Sequence, residues 1–545
     1  MVLLAHVGGI VTPVLALWWV ARILSLSQQT CRREAKMTPS PISTTSSNVP
    51  CKEQISNIFF EFSYSKMKRN RYHFPCQIDI NVIHEDAPSI NNLSITFTKF
   101  LTPLLAVAMA CSALAASKPN IILILVDDLG YGDLACYGAK DMCTPNLDSL
   151  MKAGTRYDQF YANCTVCTPT RAALMTGRYP DLVGAPGVIR QYASDNWGYF
   201  NPSGPTLPEL LKKGGYHTGL IGKWHLGYDS PNLPNDRGFD HFQGFLGGMM
   251  DDYYKHLRGG VNWMRHNKET INPEGHATEI FTGWAVDYLK QRSKKADQPF
   301  FLYLAYNAPH YPIQPPKEWR EKVQQREPDL DKKRAGNVAF IEHLDHEIGK
   351  VINSLKQLEL SKDTLVIFTS DNGGSVRHAQ SNAPLRGGKQ DHWEGGIRVP
   401  TCAVWPGKIP AGKRSDTLGM TMDFLPSLCE IAGVEVNHDI EGQSLAPVWL
   451  KGTSGNQDRT MIWGRREGNP RYQGRAYYAI RKGQWKLLQN SPFEPMVLID
   501  LKADPYEKNP LPAEGKIAKQ LTTALMKNIQ KFGRPPWVKA VDEKP

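Results

Sequence analysis

Short apolar runs rich in β-branched residues recur along the chain, and segments with helical spacing separate them. The clearest runs are Asn120–Val126, residues 300–306 and residues 364–369. A continuous apolar run of this length is typical of a strand that is buried on both faces of a parallel sheet. The alternation therefore predicts an α/β fold, a doubly wound and mostly parallel sheet flanked by helices. The predicted helices lie at 146–153, 169–174, 207–213, 280–291, 338–358 and 421–432.

The last part of the chain has a different pattern, in which short strands are separated by turn residues and a single helix follows. This pattern predicts a smaller C-terminal α+β subdomain, an antiparallel sheet plus a helix, over residues 459–545. The catalytic domain then spans residues 118–458. The predicted C-terminal elements are strands at 461–463, 477–481, 485–488 and 496–499 and a helix at 514–531.

The first 117 residues do not resemble the body of the chain. Residues 1–96 begin with an apolar stretch long enough for a membrane anchor and continue as a Ser-, Thr- and Asn-rich segment typical of disorder. Residues 97–117 have the layout of a signal peptide. This order favours a true start downstream, with residues 1–96 not native to the working protein; the alternative is a real anchor with a linker. Either way we expect an exported protein, periplasmic or secreted, whose only membrane contact is that anchor.

The charge balance indicates which kinds of partner the protein binds. The chain has 64 Lys and Arg against 53 Asp and Glu, a net charge of +11. It has no dense run of basic residues, so we expect no nucleic-acid partner. The modest basic surplus suits an anionic ligand.

Hard oxygen ligands follow two of the buried strands. Asp127 and Asp128 come directly after the first strand, and Asp371 and Asn372 come just after the strand at 364–369. Because sites in open α/β sheets lie at the carboxyl ends of strands, these side chains are expected to meet. An all-oxygen set suits Ca²⁺ or Mg²⁺ better than zinc. The alternative is that each Asp caps the turn that follows it.

Cys167 opens the most informative stretch, Cys-Thr-Pro-Thr-Arg followed by Ala-Ala-Leu-Met-Thr-Gly-Arg. Pro169 suits the first turn of a helix, which puts Cys167 near that helix's N-terminus. The helix dipole there, with Arg171 and Arg178 nearby, is expected to depress the pKa of the thiol, as an activated cysteine nucleophile needs. The alternative is a structural cysteine in a turn.

The stretch from Cys167 to Arg171 resembles the C-x-P-x-R signature of the type I sulfatases, a family of the alkaline phosphatase superfamily. Other matching segments follow in the family's order, and together the resemblance covers about residues 118–531. It implies a sulfuric ester hydrolase, arylsulfatase- or N-acetylgalactosamine-sulfatase-like, that converts a sulfated sugar or an aryl sulfate to alcohol and inorganic sulfate. The other matching segments are 120–128, 215–225, 308–310, 369–374, 385–396 and 500–507.

The resemblance implies that a formylglycine-generating enzyme oxidises Cys167 to formylglycine, an aldehyde held as its hydrate. One hydroxyl of the hydrate attacks sulfur and the other later expels sulfate, so covalent catalysis divides the reaction into two steps. The resemblance also implies one divalent cation, Ca²⁺ with Mg²⁺ as the alternative. The implied ligands of the cation are Asp127, Asp128, Cys167, Asp371 and Asn372.

Five further side chains receive roles from the resemblance. Arg171, Lys223 and Lys389 correspond to groups that hold the hydrate or neutralise the sulfate oxygens. His225 corresponds to a residue hydrogen-bonded to the hydrate, and His310 to the general acid that protonates the leaving oxygen. The match is weakest at Lys389, because the four residues after it depart from the small residues that the family has there.

Two alternatives to a sulfatase remain open. Phosphonate monoester and phosphodiester hydrolases of the same superfamily can carry the signature, although a pair of lysines, Lys223 and Lys389, favours sulfate. The second alternative is a non-catalytic binding protein on the same scaffold, for which an altered signature is expected. Substrate choice is expected to depend on loops such as 247–258 and 390–394, whose Met, Tyr, His and Trp side chains are candidates for a sugar pocket.

Overall fold

The computed structural model describes residues 118–467 and 475–539. The predicted N-terminal segments, 1–96 and 97–117, lie outside the described residues. In the part of the chain that is described, no helix combines the length and the apolar character needed to cross a membrane.

The described strands form four sheets. In chain order the strands are β1 (Asn120–Val126), β2 (Thr155–Tyr157), β3 (Phe160–Tyr161), β4 (His217–Lys223), β5 (His241–Phe245), β6 (Leu257–Arg258), β7 (Val261–Asn262), β8 (Met264–His266), β9 (Glu269–Thr270), β10 (Phe300–Ala305), β11 (Thr364–Ser370), β12 (Thr401–Val404), β13 (Lys413–Ser415), β14 (Gly419–Met420), β15 (Thr460–Glu467), β16 (Arg475–Lys482), β17 (Trp485–Leu488), β18 (Val497–Asp500) and β19 (Leu511–Pro512). The largest sheet has ten strands in the order β13-β2-β12-β11-β1-β10-β4-β5-β8-β9.

The helices lie between these strands along the chain. They are α1 (Pro145–Lys152), α2 (Cys167–Thr176), α3 (Leu207–Lys213), α4 (Ala277–Ser293), α5 (Lys317–Arg326), α6 (Lys332–Gln357), α7 (Glu394–Ile397), α8 (Phe424–Ala432), α9 (Ala446–Lys451) and α10 (Gly515–Phe532).

Strand β1 lies at the centre of the large sheet, parallel to β11 on one side and to β10 on the other. Its side chains alternate between two cores, as successive residues of a strand must. Ile122 and Ile124 pack with α1, α4 and α6, whereas Ile121 and Leu123 pack with α2, α3 and α8. The predicted doubly wound, mostly parallel sheet with helices on both faces is confirmed.

The C-terminal sheet has five antiparallel strands in the order β15-β16-β17-β18-β19 and packs against α10. This is the predicted α+β arrangement. The core of the sheet also takes in Tyr161 and Met420 from the catalytic part of the chain. The two parts therefore share apolar surface, and the boundary at residues 458 and 459 stays a prediction.

Capping, not apolar spacing, sets the start of helix α6. Helix α6 begins six residues before the predicted start, because the Asp331 side chain accepts hydrogen bonds from the backbone N–H groups of Lys333 and Arg334. The first three residues of the helix, Lys332 to Arg334, are charged, and residues 332–337 carry no apolar period. Helix α3 matches its predicted bounds, since Thr206 and Glu209 form a capping box at its start.

Candidate active site

The carboxyl ends of β1 and β11 bring the four predicted oxygen ligands together. The two strands are in register up to their last residues, so Asp127 and Asp371 follow at the same level of the sheet. The backbone N–H of Asp128 donates to Asp371 Oδ1 at 3.2 Å. Asn372 Nδ2 donates to Asp128 Oδ1 at 2.8 Å. All four side chains are buried.

Cys167 is the first residue of α2 and is also buried. Its Sγ and carboxylate oxygens of Asp127 and Asp371 all lie within 4.8 Å of one another. Thr168 Oγ1 donates to the carbonyl of His225 at 3.1 Å. This bond ties the start of the helix to the segment that follows β4, so the cysteine has a fixed position beside the carboxylates.

The predicted depression of the Cys167 pKa is wrong. Burial raises the pKa of this thiol, and the nearby Lys223 and Lys389 oppose the rise only in part. Arg178 does not contribute, because it pairs with Glu441 at 3.2 Å beyond the C-terminal end of α2. A thiol with a raised pKa carries little thiolate at neutral pH, so the unmodified Cys167 is a poor nucleophile.

Two buried cations hold the carboxylates on the inner side of the site. Arg171, one turn along α2 from Cys167, donates from Nη2 and Nε to Asp371 Oδ2 at 2.8 and 3.1 Å. Lys223, the last residue of β4, donates from Nζ to Asp127 Oδ2 at 2.5 Å. Burial and repulsion from Asp371 raise the pKa of Asp127 well above its ordinary value, although Lys223 opposes this.

Asp128 faces two further predicted residues. Lys389 Nζ lies 2.7 Å from Asp128 Oδ2, and His310 Nε2 lies 3.6 Å from the same oxygen. Burial alone would raise the pKa of Asp128, but Lys389 and His310 outweigh it and lower the pKa below its ordinary value. Burial and the charge of Lys389 lower the pKa of His310 to about 3.

His225 lies two residues after β4 with a left-handed backbone, φ 62°. Its Nε2 lies 3.0 Å from the carbonyl oxygen of Ile189, so this nitrogen carries the proton and Nδ1 is an acceptor. Within the described residues, Nδ1 has no hydrogen-bond partner. Burial and the charges of Lys223 and Arg171 lower the pKa of His225 well below its ordinary value, which keeps the ring neutral.

The donor set fits a hard divalent cation. The buried atoms Asp127 Oδ1 and Asn372 Oδ1 have no hydrogen-bond partner among residues 118–467 and 475–539. Buried oxygens in that state carry a desolvation cost that a coordinated cation would offset. Three carboxylates and an amide oxygen are the ligand types of Ca²⁺ and Mg²⁺. A cation here would also reduce the repulsion between Asp127 and Asp371.

The site opens into a pocket of about 1070 Å³. The loop at 247–258 contributes Met249 to the wall, as predicted, and also Arg258, but its Tyr253, Tyr254 and His256 do not line the pocket. From the loop at 390–394, Gln390 and Asp391 reach the wall, but the predicted aromatic side chains of that loop do not. Trp393 instead packs against the guanidinium of Arg386, and His392 is buried below the surface.

A second group of wall residues was missed by the sequence analysis. They come from segments far apart in the chain and carry no motif, so no local signal could have grouped them. Tyr311 alone could have been noticed, since it follows His310. The missed residues include Ile189, Arg190, Gln191, Tyr192, Tyr311, Val376, Arg377, His378, Arg465 and Glu467.

Comparison with known proteins gives consistent matches. A family model described as Sulfatase matches residues 119–434, and one described as N-sulphoglucosamine sulphohydrolase, C-terminal, matches residues 388–534. The chain is 34% identical over 395 residues to N-acetylgalactosamine-6-sulfatase of Canis lupus familiaris, covering 68% of this chain and 72% of the relative. It is 32% identical over 419 residues to arylsulfatase A of Homo sapiens, covering 70% and 77%. The crystal structure of Ps i-CgsB in complex with k-i-k-neocarrahexaose aligns with a TM-score of 0.69 at 33% identity, covering 77% of this chain and 93% of that one.

Proposed function

Because the chain belongs to the sulfatase family, we propose that it hydrolyses the sulfate ester of a carbohydrate, with residue 167 as the nucleophile. Family membership makes it a sulfuric ester hydrolase of the arylsulfatase and N-acetylgalactosamine-6-sulfatase group. The observation that carries the proposal is the approach of Cys167 Sγ to Asp127 and Asp371 within 4.8 Å. These groups stand among three cations, Arg171, Lys223 and the pocket residue Lys389.

Residue 167 acts, in this proposal, after conversion of the cysteine to formylglycine by a formylglycine-generating enzyme. The hydrated aldehyde supplies two hydroxyls on one carbon. One attacks sulfur as the bond from sulfur to the alcohol oxygen breaks. The other then loses its proton, so that the C–O bond to sulfate breaks and the aldehyde is restored for rehydration by water. The raised pKa of the Cys167 thiol argues against direct thiolate chemistry. His225 and Cys167 line the same pocket, and Nδ1 of His225 is an acceptor with no partner among the described residues. His225 therefore orients the modified side chain in this proposal.

One divalent cation, Ca²⁺ with Mg²⁺ as the alternative, completes the site. When bound, it supplies positive charge that polarises a sulfate oxygen and the nucleophile. Lys223 and Lys389 lie 2.5 and 2.7 Å from the carboxylates that bind this cation. From these positions their ammonium groups neutralise the sulfate oxygens, which gain charge in the transition state. The proposed ligands are Asp127, Asp128, Asp371, Asn372 and the modified side chain of residue 167.

His310 protonates the leaving oxygen. Its Nδ1 lies 2.6 Å from the Tyr311 carbonyl oxygen, to which it donates, so Nε2 is left for the substrate side. The pKa of His310 is lowered to about 3 in the free site, by burial and by Lys389. A bound sulfate ester brings negative charge, which raises this pKa and so favours the protonated form of His310.

The pocket favours a sugar as the leaving group. Its volume of about 1070 Å³ lies at the upper end of the usual range for small-molecule sites. Tyr192 and Tyr311, 54% and 47% exposed, offer aromatic surface at the pocket for the apolar face of a sugar ring. Two of the relatives support this, one named N-acetylgalactosamine-6-sulfatase and one solved in complex with k-i-k-neocarrahexaose.

The test is a comparison of turnover between N-acetylgalactosamine 6-sulfate, an aryl sulfate and the matching aryl phosphonate. The protein is produced together with a formylglycine-generating enzyme, and mass spectrometry of the peptide containing residue 167 verifies the aldehyde. We expect both sulfate esters to be hydrolysed and the phosphonate to be turned over at least 100-fold more slowly. Preference for the phosphonate would favour the other activity of the superfamily. No turnover by the aldehyde form would favour a binding protein.

A further inference from the structure

Three buried charged side chains connect the loop that carries Lys389 to the C-terminal sheet. Lys486 on β17 donates to Glu394 Oε1 at 2.9 Å and to Glu507 Oε1 at 2.8 Å. The other carboxylate oxygen of Glu507 accepts a hydrogen bond from the Glu394 backbone N–H at 2.6 Å. The side chains of Lys486, Glu394 and Glu507 are at most 1% exposed. We call these three residues the Lys486 cluster.

Strand β16 and the segment that follows β17 contact the loop at two more points. The loop, residues 388–394, is called the Lys389 loop below. The backbone N–H of His392 donates to Asn490 Oδ1 at 2.5 Å, and the His392 ring lies 3.1 Å from the carbonyl of Gln489. The hydroxyl of Tyr477 on β16 donates to the carbonyl oxygen of Gln390 in the loop at 2.8 Å. The C-terminal sheet therefore contacts the loop on both sides of Asp391.

Contacts with the catalytic part hold the other side of the loop. The backbone N–H of Lys389 donates to the carbonyl oxygen of Gly374 at 2.9 Å, and that of Gln390 donates to the carbonyl oxygen of Thr165 at 3.0 Å. Gln390 has a φ of 83°, a conformation that L-residues rarely adopt. A residue persists in this region only when its surroundings hold it there. The loop is thus fixed in its shape between the two parts of the protein.

Charge burial in the Lys486 cluster is not an efficient way to stabilise a fold. Removing charges from water costs free energy that their mutual attraction does not always offset. Apolar residues of similar volume often stabilise a fold equally well. Burial opposes ionisation of Glu394, but Lys486 and Arg481 lower its pKa to about 2, so it is charged. Such a cluster instead defines a geometry, because each buried charged group is stable only when its partner lies at hydrogen-bonding distance.

We propose that Lys486 and Asn490 are positioning residues for Lys389, which they keep within reach of the sulfate group by fixing the Lys389 loop. The inference rests on the proposed function, in which Lys389 neutralises sulfate oxygens. A displacement of about 1 Å in a catalytic group can cost roughly 100-fold in rate, so a loosened loop has a measurable effect. The C-terminal sheet is then part of the catalytic unit.

The experiment is a double-mutant cycle on the mature, cation-loaded enzyme with an aryl sulfate, a substrate that needs little beyond sulfate binding. We expect Lys486→Met and Asn490→Ala each to lower kcat/KM at least 10-fold and to weaken inhibition by inorganic sulfate. In a Lys389→Ala background, the same substitutions should change kcat/KM less than twofold, because the group that they position is already gone. Asn490→Ala decides the question if Lys486→Met does not fold.

A matched control is Arg459→Met, which breaks another buried ion pair, that with Asp423, outside the Lys389 loop. It should lower the melting temperature but leave kcat/KM within twofold. Equal losses with and without Lys389, or wild-type activity in Asn490→Ala, would overturn the positioning role. Full turnover in Lys389→Ala alone would instead contradict the proposed role of Lys389, so the two failures are distinguishable.

Discussion

The ammonium of Lys389 lies 2.7 Å from Oδ2 of Asp128, although 261 residues separate the two in the chain. The lysine side chain is only 13% exposed and lines the same pocket as Cys167 and His310. Among the predicted site residues, Lys389 has the weakest match to the sequence pattern of the family. Its contact with Asp128 nevertheless holds it in a defined position. Replacing Lys389 therefore tests the proposed chemistry directly.

Replacement of Lys389 by alanine should lower kcat/KM for an aryl sulfate by about 100-fold, because one of the charges facing the sulfate oxygens is lost. Asp128 also loses its closest cation, and a buried carboxylate that loses its ion-pair partner is destabilising. Added Ca²⁺ should therefore raise the melting temperature of the variant more than that of the wild type. Steady-state kinetics and thermal unfolding with and without Ca²⁺ measure both effects. Lys212→Ala, which breaks a surface pair with Asp240, is the control and should change neither.

Maturation of Cys167 should require an unfolded chain. Cys167 is 4% exposed and Arg171 is fully buried, so a modifying enzyme has no access to the signature once the protein has folded. Protein that is folded first and then incubated with a formylglycine-generating enzyme should keep its thiol by mass spectrometry. A peptide spanning residues 160–180 serves as the positive control and should be converted. Efficient conversion of the folded protein would contradict this expectation.

Gly248→Ala should impair catalysis by displacing the ring of His225. A Cβ at this position would lie 2.2 Å from His225 Nε2, so the ring must move away from its bond to Ile189. Because His225 is proposed to orient the nucleophile, we expect kcat to fall about 10- to 100-fold. The matched control is Gly283→Ala on α4, where a Cβ meets open space. Wild-type kcat in Gly248→Ala would argue against a role for the ring.

The histidines packed on α6 should make the protein sensitive to acid. Burial lowers the pKa of His276 from 6.5 to about 4 and that of His343, with help from His276, to about 2. The unfolded chain therefore binds protons that the folded chain excludes as the pH falls below 6.5. Stability is complete above pH 6.5 and decreases toward pH 4, by about 3 kcal/mol for His276 alone.

Urea unfolding at pH 7.5, 5.5 and 4.5 measures this dependence. His276→Asn removes the titrating ring but keeps a side-chain acceptor for the Thr278 backbone N–H at the start of α4. The variant should lose less stability between pH 7.5 and 4.5 than the wild type. Asn353→Ala, an exposed position on α6 without a titrating group, is the control and should leave the dependence unchanged. An identical pH dependence in His276→Asn and the wild type would refute the assignment.

The sequence alone determined the fold class, because short apolar runs and helical spacing are local properties that buried strands and amphipathic helices must show. It also identified Asp127, Asp128, Asp371 and Asn372, since residues that follow parallel strands meet at one edge of the sheet. The signature around Cys167 pointed to the family because all of its residues lie in one short stretch of sequence.

Only the tertiary structure decided the charge state of Cys167, since the pKa of a thiol depends on burial as well as on the helix dipole that the sequence reveals. It also decided which residues form the pocket wall and that Lys486 contacts Glu394, 92 residues away. Such contacts join side chains from separate elements and leave no periodic or local trace. They depend on how the C-terminal sheet packs against the catalytic part, which no short segment encodes.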